Sequence, residues 1–587
     1  MNPFQSYRLH FTPLSPIHIG TGDSYEPTNY VIEDGVLHEF DISALDVLLD
    51  GDRKELLRIA SAKPDADMLK AVQRFFFERR GILQAQAVNR VPVLPGVAEF
   101  YASRVGQTTQ YKGDGKKDIN RLAIQRLPYN QITNKPILFG SSIKGAIRTV
   151  LLDKVNNRMP LSKWDAELFQ TEGLPDYEKK KREKRQPGIF KKRNEEIFEG
   201  GFELDPLRLL QLSDASWQAE DDLPAMHVCF AVNRKKHPFD NQGTYRQSTA
   251  DKKEIYQALE CIYGWRYRAF SGQLNIQSLT GIPRTGRGGK RQIPAAGLHF
   301  DILQIAQACN AFYWPILLTE CDILRQRGFL DPLWDESMRK LLEFARGKLD
   351  EGRAFLLRVG RHSGAESVTL DGVRNIKILL EKDKDTDKQP YTYEAKTRTL
   401  WLAAHDKDQR TGLLPFGWLL VEAEPWEAPA RDWPELAALC EPHLAAARAC
   451  AAKLERQREA QAKTRTEAEV QRREEAERAR RQAEEAARLA HEEAERQARW
   501  AAMSEESQRV ERFHERMARE KAEWIRLGIS GQWFQELRSL AEQAAVSWSA
   551  ADKAALLALV QGVSQLDAKL SPKKNDHIKK LLNKLKP

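Results

Sequence analysis

Apolar and polar residues alternate near the start of the chain, and this pattern predicts β-strands. Residues 7–19 alternate well enough to form one strand. Residues 30–40, with the sequence YVIEDGVLHEF, predict a hairpin that turns at Asp34 and Gly35, since an Asp-Gly pair favours the tight turn between two strands. The chain therefore begins with a small group of antiparallel strands.

Helical spacing follows this opening. Residues 43–80 carry apolar side chains three and four positions apart, which predicts one or two packed helices. The stretch PILFGSSIKGAIRTVLLDKV, residues 136–155, predicts a strand, a tight glycine turn and a helix. Strands that alternate with helices in short units indicate an α+β fold of the ferredoxin-like type. We expect a first domain of this type over residues 1–175.

A dense run of positive charge interrupts the pattern. Residues 179–193, KKKREKRQPGIFKKR, hold nine Lys or Arg against one Glu, with a Pro-Gly pair inside. Such a segment cannot bury a core, so we predict a basic surface loop over residues 176–199. Strand patterns return beyond it, and we predict a second α+β domain over residues 200–430.

The composition changes after this second region. Between Ala451 and Trp500, 43 of 50 residues are Ala, Glu, Arg, Gln or Lys, which is typical of a long helix with charge pairs four residues apart. Residues 431–527 are therefore predicted as a long charged helix or a helical hairpin. Residues 528–587 are predicted as a small helical segment that ends in a lysine-rich tail.

Charge and cysteine content narrow the class of protein. The 92 Lys and Arg against 83 Asp and Glu give +9 over 587 residues, so any basic surface must be local. No stretch approaches 18 uninterrupted apolar residues, and the N-terminus does not read as a secretion signal. We expect a cytoplasmic protein with no membrane contact. The six cysteines, none in a CxxC pair, are expected to be buried free thiols: Cys229, Cys261, Cys309, Cys321, Cys440 and Cys450.

The predicted glycine turn at Gly140 is a candidate phosphate site. Ser141 and Ser142 offer hydroxyls beside the positive end of the helix dipole, and Lys144 and Arg148 add charge within the first turns. The alternative is purely structural, with a serine as the N-cap and glycine for the turn.

Two further clusters combine glycine with basic residues. Gly20 and Gly22 follow the first strand, and Arg358, Arg361 and His362 lie in the stretch RVGRHSG. Small residues let a nucleic-acid backbone come close while arginines neutralise phosphates. The recurrence of such clusters predicts sequence-independent RNA binding. A basic glycine-rich loop adds four candidate ligands: Arg284, Arg287, Lys290 and Arg291.

Catalytic chemistry is weakly indicated. There is no P-loop, and no carboxylates are spaced in a way that compels a metal site, so neither a cofactor nor a metal is expected. His18, or His10, could act as the base of a metal-independent RNA endonuclease. An isolated histidine on an alternating strand is more often a packing residue, and we favour a non-catalytic protein.

Four motifs carry a resemblance to a known family. They are FTPLSPIHIGTGDSYEPTNYVIEDGVLHEFD over residues 11–41, LFGSSIKGAIRT over 138–149, DPLRLLQLSD over 205–214 and RVGRHSG over 358–364. Over residues 7–425 the chain resembles the RAMP superfamily of CRISPR proteins, and within it the fifth subunit of type III-A Csm effector complexes.

The resemblance implies two ferredoxin-like, RRM-like domains that cap the 3′ end of the guide RNA beside repeated backbone RAMP subunits. It also implies a role in maturation of that end, with host nucleases as possible partners in antiviral defence. The target-cleaving residue of such complexes belongs to another subunit. This chain departs from the family pattern at Phe139, where proline is usual. The extension over residues 431–587 has no family counterpart and could instead be an interaction scaffold anchored by the RAMP part.

Overall fold

The computed structural model of the protein describes residues 3–107, 110–111, 117–118, 122–239, 242–280, 282, 284–285, 291–380 and 389–586. These form two compact units, Met1–Arg465 and Thr466–Pro587. The strands are β1 (Phe4–Pro13), β2 (Ser24–Tyr25), β3 (Tyr30–Glu33), β4 (Val36–Glu39), β5 (Asn89–Pro92), β6 (Gln110–Tyr111), β7 (Lys117–Asp118), β8 (Ile124–Gln125), β9 (Tyr129–Asn130), β10 (Lys135–Leu138), β11 (Leu210–Leu212), β12 (Ala215–Trp217), β13 (Met226–Lys235), β14 (Tyr256–Ile262), β15 (Phe270–Gln277), β16 (Ala354–Arg358), β17 (Ile376–Leu379), β18 (Tyr391–Glu394), β19 (Thr399–Ala404), β20 (Leu414–Pro415) and β21 (Trp418–Pro425).

Short 3-10 turns connect several of the helices. The α-helices are α1 (Asp50–Ala60), α2 (Ala66–Glu78), α3 (Arg80–Leu83), α4 (Pro95–Arg104), α5 (Gly140–Asn156), α6 (Lys163–Ala166), α7 (Asp176–Ile197), α8 (Thr249–Lys252), α9 (Ile302–Gln326), α10 (Pro332–Phe344), α11 (Arg346–Asp350), α12 (Pro434–Cys440), α13 (Ala445–Ala501), α14 (Glu505–Arg519), α15 (Lys521–Leu527), α16 (Gln532–Ser547), α17 (Ala550–Leu566) and α18 (Asp576–Leu585).

The larger sheet of the first unit is built around the first strand. Its order is β16-β21-β1-β15-β12-β10-β9, and β11 also pairs with β15. Strand β1 runs antiparallel to both neighbours, with Leu9 opposite Gly272 on one side and Ala423 on the other. Leu9 and Phe11 are fully buried, because the apolar positions of the predicted strand face the core.

A second sheet lies in the same unit, in the order β2-β8-β14-β13-β19-β20. Its central strand β13 pairs with β14 and β19 and is buried along nearly its whole length, including the polar side chains of His227, Asn233 and Arg234. Residues from both sheets join α5 and α9 in one continuous hydrophobic core. Within the described residues, no helix is long and apolar enough to cross a membrane.

The local predictions at the start of the chain are confirmed. Strands β3 and β4 form the predicted hairpin, and its turn residues Asp34 and Gly35 have φ of 50° and 71°. Positive φ at both central positions suits the right-handed twist of a hairpin, which explains the Asp-Gly pair. The one or two helices predicted over residues 43–80 are α1 and α2, and the strand, turn and helix of residues 136–155 are β10 and α5.

The predicted loop over residues 176–199 is wrong, because this segment forms helix α7. Ile189 and Ile197 are buried, and the Phe190 ring packs 5.7 Å from that of Phe169. The Arg182 guanidinium donates to the Gln170 carbonyl at 2.8 Å. Helix α7 therefore packs against the first unit through a narrow apolar stripe. Most of its Lys and Arg side chains stay in water, where their mutual repulsion is screened.

The α+β region followed by a helical region is confirmed, whereas the number of ferredoxin-like domains stays a prediction. Strands from both predicted domains, 1–175 and 200–430, share both large sheets: β1 pairs with β15 and β21, and β8 pairs with β14. The boundaries near residues 175 and 200 likewise stay a prediction. Five of the six cysteines are buried, and Cys450 is half-buried.

The second unit has a core of its own within residues 503–587. Val510, Met517 and Trp524, which recur every seven residues, are buried in it, and the Trp524 and Trp533 rings stack 4.7 Å apart. Helix α13 is one continuous helix of 57 residues rather than a hairpin, and it carries charge pairs four residues apart such as Arg480 with Glu484. The region after residue 430 is therefore helical, as its composition predicted, whereas the division into residues 431–527 and 528–587 stays a prediction.

Candidate functional site: a glycine-rich junction

Two of the glycine clusters, far apart in sequence, meet in the first unit. The Arg361 backbone N–H donates to the His18 carbonyl at 2.8 Å. Gly360 has φ of 81°, and a Cβ on it would lie 2.4 Å from that same carbonyl, so only glycine permits this contact. We call residues 18–22 and 360–364 together the glycine junction.

The outer side of the glycine junction is a strip of small residues beside one arginine. Gly20, Thr21, Gly22 and Arg361 are exposed. Gly22 has φ of 92° and no heavy atom within 4 Å of where a Cβ would be, so this strip is open to the outside. The Arg361 guanidinium donates to the Gln125 side chain, which leaves other donors of its fork for a ligand.

The two candidate histidines have different surroundings. His18 is fully buried, and its Nδ1 lies 2.7 Å from the Glu260 carbonyl oxygen. Burial lowers the pKa of His18 to about 4. His10 is half-buried on β1 with Nε2 3.6 Å from Glu424 Oε2, and burial lowers its pKa as well. A fully buried, weakly basic ring at His18 is a packing group and does not favour proton abstraction from a 2′-hydroxyl.

Arg358 lies inside the protein rather than at the surface. Its guanidinium is within 2.8 Å of the Glu320 carboxylate, donates to the Phe416 carbonyl at 2.9 Å and stacks on the Trp418 ring at 4.8 Å. The Trp418 indole N–H donates to the other Glu320 oxygen at 2.8 Å. Because only 4% of Arg358 is exposed, its charge is neutralised internally and it anchors the glycine junction.

His362 is half-buried rather than exposed. Its ring stacks on that of Trp401 at 4.7 Å, and Nε2 lies 3.1 Å from the Gln257 side-chain oxygen. Burial, together with nearby Arg361, lowers the pKa of His362 to about 3, so the ring is uncharged at neutral pH. It lines a cavity of about 350 Å³ together with Gly360, Ser363, Gly364, Ala365, Val368, Thr397, Thr399, Leu400 and Trp401.

The predicted phosphate turn at Gly140 is held by the protein itself. The Gly140 N–H, at the start of α5, donates to Asp214 Oδ1 at 2.8 Å. A Cβ on Gly140 would lie 2.5 Å from the Ser213 carbonyl oxygen, which explains the glycine. Ser141 is exposed and Ser142 is half-buried. A carboxylate thus occupies the helix N-terminus, where an anion is favoured.

The two cations of that motif have partners too. Lys144 Nζ donates to the Leu210 carbonyl at 2.7 Å, and partial burial lowers its pKa. Arg148 pairs with Asp205 at 2.5 Å. The motif of residues 205–214 therefore binds the first turns of α5 through Asp205, Leu210 and Asp214. The motifs of residues 138–149 and 205–214 therefore contact each other in the folded protein, which is a structural reason for both to occur in one chain.

The basic glycine-rich loop is described in part. Arg284 is exposed, and Arg291 pairs with the Glu199 carboxylate at 3.3 Å and donates to the Glu199 carbonyl. Arg287 and Lys290 lie outside the described residues. Among the residues that are described, no group of three or more His, Cys, Asp or Glu side chains could hold a metal ion.

Sequence reasoning missed the buried polar network behind the glycine junction. Arg126 pairs with Glu39 at 2.7 Å and lies over the Tyr25 ring at 4.3 Å. The Tyr25 hydroxyl donates to Glu260 at 3.0 Å, and burial raises the pKa of Glu260 to about 7. The one sequence feature that could have indicated this network is Glu260, a glutamate within the apolar strand β14, because a buried carboxylate needs hydrogen-bond partners.

Comparisons with known proteins find a family model that matches part of the first unit. Residues 10–274 match the model of the RAMP superfamily, the family that the sequence motifs resemble. No curated protein matches the chain.

Two solved structures are similar to the chain at low identity. One is a chain of a cryo-EM structure of a Csm-crRNA-target RNA ternary complex of a type III-A CRISPR-Cas system, with 16% identity, a TM-score of 0.39 and coverage of 71% of this chain and 100% of that one. The other is the crystal structure of T.onnurineus Csm5, with 14% identity, a TM-score of 0.37 and coverage of 70% and 99%.

Proposed function

We propose that this chain is a non-catalytic RNA-binding subunit of a type III-A CRISPR effector complex. It caps the 3′ end of the guide RNA beside the repeated backbone RAMP subunits and assists maturation of that end, with host nucleases as further partners. The observation that carries the proposal is the glycine junction, where two family motifs separated by more than 300 residues form one exposed strip with Arg361 at its side.

The glycine junction suits a phosphate backbone rather than bases. Gly20 and Gly22 allow close approach, and the planar Arg361 fork can bind two phosphate oxygens at once. Contacts to phosphate and sugar fix the position of an RNA without reading its sequence, which is what a cap on a variable guide needs. Within this proposal Arg358 and His362 hold the glycine junction in place from inside.

The start of α5 is proposed as a second phosphate contact. Ser141 is exposed there, and Ser142, Lys144 and Arg148 follow within two turns. A phosphate would compete with the carbonyl and carboxylate oxygens that now accept from Lys144 and Arg148. Arg284 and Arg291, with Arg287 and Lys290, would extend the basic path.

The test is sequencing of the RNA that co-purifies with the assembled complex. We expect Arg361→Gln to give guide RNAs with heterogeneous 3′ ends, because the cap then holds the end more weakly. The double variant Lys144→Ala/Arg148→Ala should act in the same direction. The matched control is Arg346→Gln, which removes an exposed arginine of α11 whose side chain is 76% exposed.

Two results would contradict the proposal. One is a complex with Arg361→Gln and Lys144→Ala/Arg148→Ala that assembles normally and carries guide RNA of unchanged length. The other is specific cutting of labelled repeat RNA by the purified chain in EDTA, abolished by His18→Ala. That second result would make the chain a metal-independent endonuclease.

A further inference from the structure

The last helix and the turn before it carry a concentrated positive charge that the proposed cap does not use. Residues 568–587 hold seven lysines against a single acidic side chain, Asp576. All seven lysines are exposed, and we call them the lysine face: Lys569, Lys573, Lys574, Lys579, Lys580, Lys584 and Lys586.

The core of the second unit fixes which side of α18 the lysines occupy. Ile578, Leu581 and Leu585 recur at helical spacing, and they are 0%, 4% and 3% exposed. They pack in one cluster with residues of α16 and α17. Because 3.6 residues make a turn, Lys579 and Lys580 lie on the opposite side of the helix, and Lys584 lies at the edge of the apolar face. The charges are therefore presented by a docked helix and not by a frayed tail.

The start of α18 is fixed as well. The Asn575 side chain accepts hydrogen bonds from the backbone N–H groups of His577 and Ile578, at 3.0 and 3.4 Å. This is an N-cap, which stabilises a helix by about 1 kcal/mol. It also holds Lys573 and Lys574 in the turn directly before the first helical residue.

Few carboxylates face these lysines. Within the part of the chain that the structure describes, the ion pair of Lys584 with Glu542, at 3.5 Å, is the one that the lysine face makes. Glu542 is shared with Arg538, and these two cations lower its pKa. Elsewhere in this unit exposed arginines sit beside glutamates, as Arg526 does beside Glu523. The charge of the lysine face is thus left for a partner.

We infer that the lysine face binds the phosphate backbone of RNA without reading its sequence. Lysines act as point charges toward phosphates, and among the described residues 568–586 the one aromatic ring is that of His577, which lies edge-on to the Phe534 ring at 6.4 Å. An anionic membrane is a poorer fit, since the apolar residues of α18 are buried in the core and cannot insert among lipids. The inference rests on the proposed function only in taking the RNA of the complex as the partner.

The test measures how RNA affinity depends on salt. The full-length chain is titrated with a labelled single-stranded RNA of unrelated sequence at several salt concentrations. Each phosphate neutralised on a single strand contributes about 0.7 to the slope of log affinity against log salt. We expect K573Q/K574Q/K579Q/K580Q to reduce that slope by up to about 3. The charge-retaining variant K573R/K574R/K579R/K580R should keep the slope of the natural chain.

A second variant controls for total charge. R509Q/R519Q/K521Q/R526Q removes four exposed positive charges from α14 and α15 of the same unit and should leave the slope nearly unchanged. Equal slopes for the natural chain and K573Q/K574Q/K579Q/K580Q would overturn the inference. So would a loss of binding to vesicles rich in anionic lipid that leaves RNA binding intact. Arg361→Gln, measured in the same titration, distinguishes the lysine face from the proposed cap. The four-lysine variant tests only the lysine face and Arg361→Gln tests only the cap, so either proposal can be contradicted without the other.

Discussion

Arg358 and Arg361, three positions apart, have opposite environments. Arg358 is paired with buried Glu320, whereas Arg361 is exposed. Arg358→Met would leave the Glu320 charge buried without its partner, so we expect the free energy of unfolding to fall by about 3–5 kcal/mol. Arg361→Met should change it by less than about 0.5 kcal/mol. Urea unfolding of both variants checks this, and equal stability of the two would contradict the assigned roles.

Buried histidines make stability depend on pH. Burial lowers the pKa values of His18 and His38 from 6.5 to about 4. Between these values the unfolded chain binds more protons, so the stabilisation is complete above pH 6.5 and is lost as the pH falls toward 4. His38→Gln should make unfolding free energy less steep in pH by about 1.4 kcal/mol per unit. Urea unfolding at several pH values measures the slope, and an unchanged slope would contradict the burial effect.

At the scale of elements, helix α5 contains two glycines with opposite roles. A Cβ on Gly140 would lie 2.5 Å from a backbone oxygen, whereas Gly145 has nothing within 4 Å of its Cβ position. We expect Gly140→Ala to destabilise the protein by about 1–3 kcal/mol through overpacking. Gly145→Ala should stabilise it by about 0.5–1 kcal/mol, because glycine is a poor helix former. Thermal melting of both variants decides this, and a shift of the same sign in both would contradict it.

Elements that depend on nearby residues could be predicted from sequence, and those that depend on distant ones could not. The Asp34-Gly35 turn and the long helix α13 follow from local chemistry. Helix α7 was missed because its charge run suggests a loop, and what docks it, such as the ring of Phe169, lies outside the run. The glycine junction joins residues more than 300 positions apart. The sequence therefore indicated its residues as candidates, but it did not predict that they contact each other.

At the scale of the whole molecule, the boundary between the units decides which truncation is tolerated. Leu436, Cys440 and Ala447 are buried in the first unit, although they lie in the predicted extension. Deleting residues 466–587 should therefore leave the first unit with a cooperative unfolding transition. Deleting residues 435–587 should lower its stability by at least about 2–5 kcal/mol, the cost of losing one large buried side chain. Calorimetry of both truncations tests this, and identical transitions would contradict it.

Strand β1 has a consequence for how the protein is made. Its two neighbours in the sheet are residues 270–277 and 418–425, so β1 cannot pair with either until most of the first unit has been synthesised. At about 5–20 residues per second, the wait for the second neighbour is roughly 20–80 s. During that time the apolar side of β1 is open to wrong partners. We expect the nascent chain to depend on chaperones, and synonymous codons that slow translation before residue 425 to lower its soluble yield.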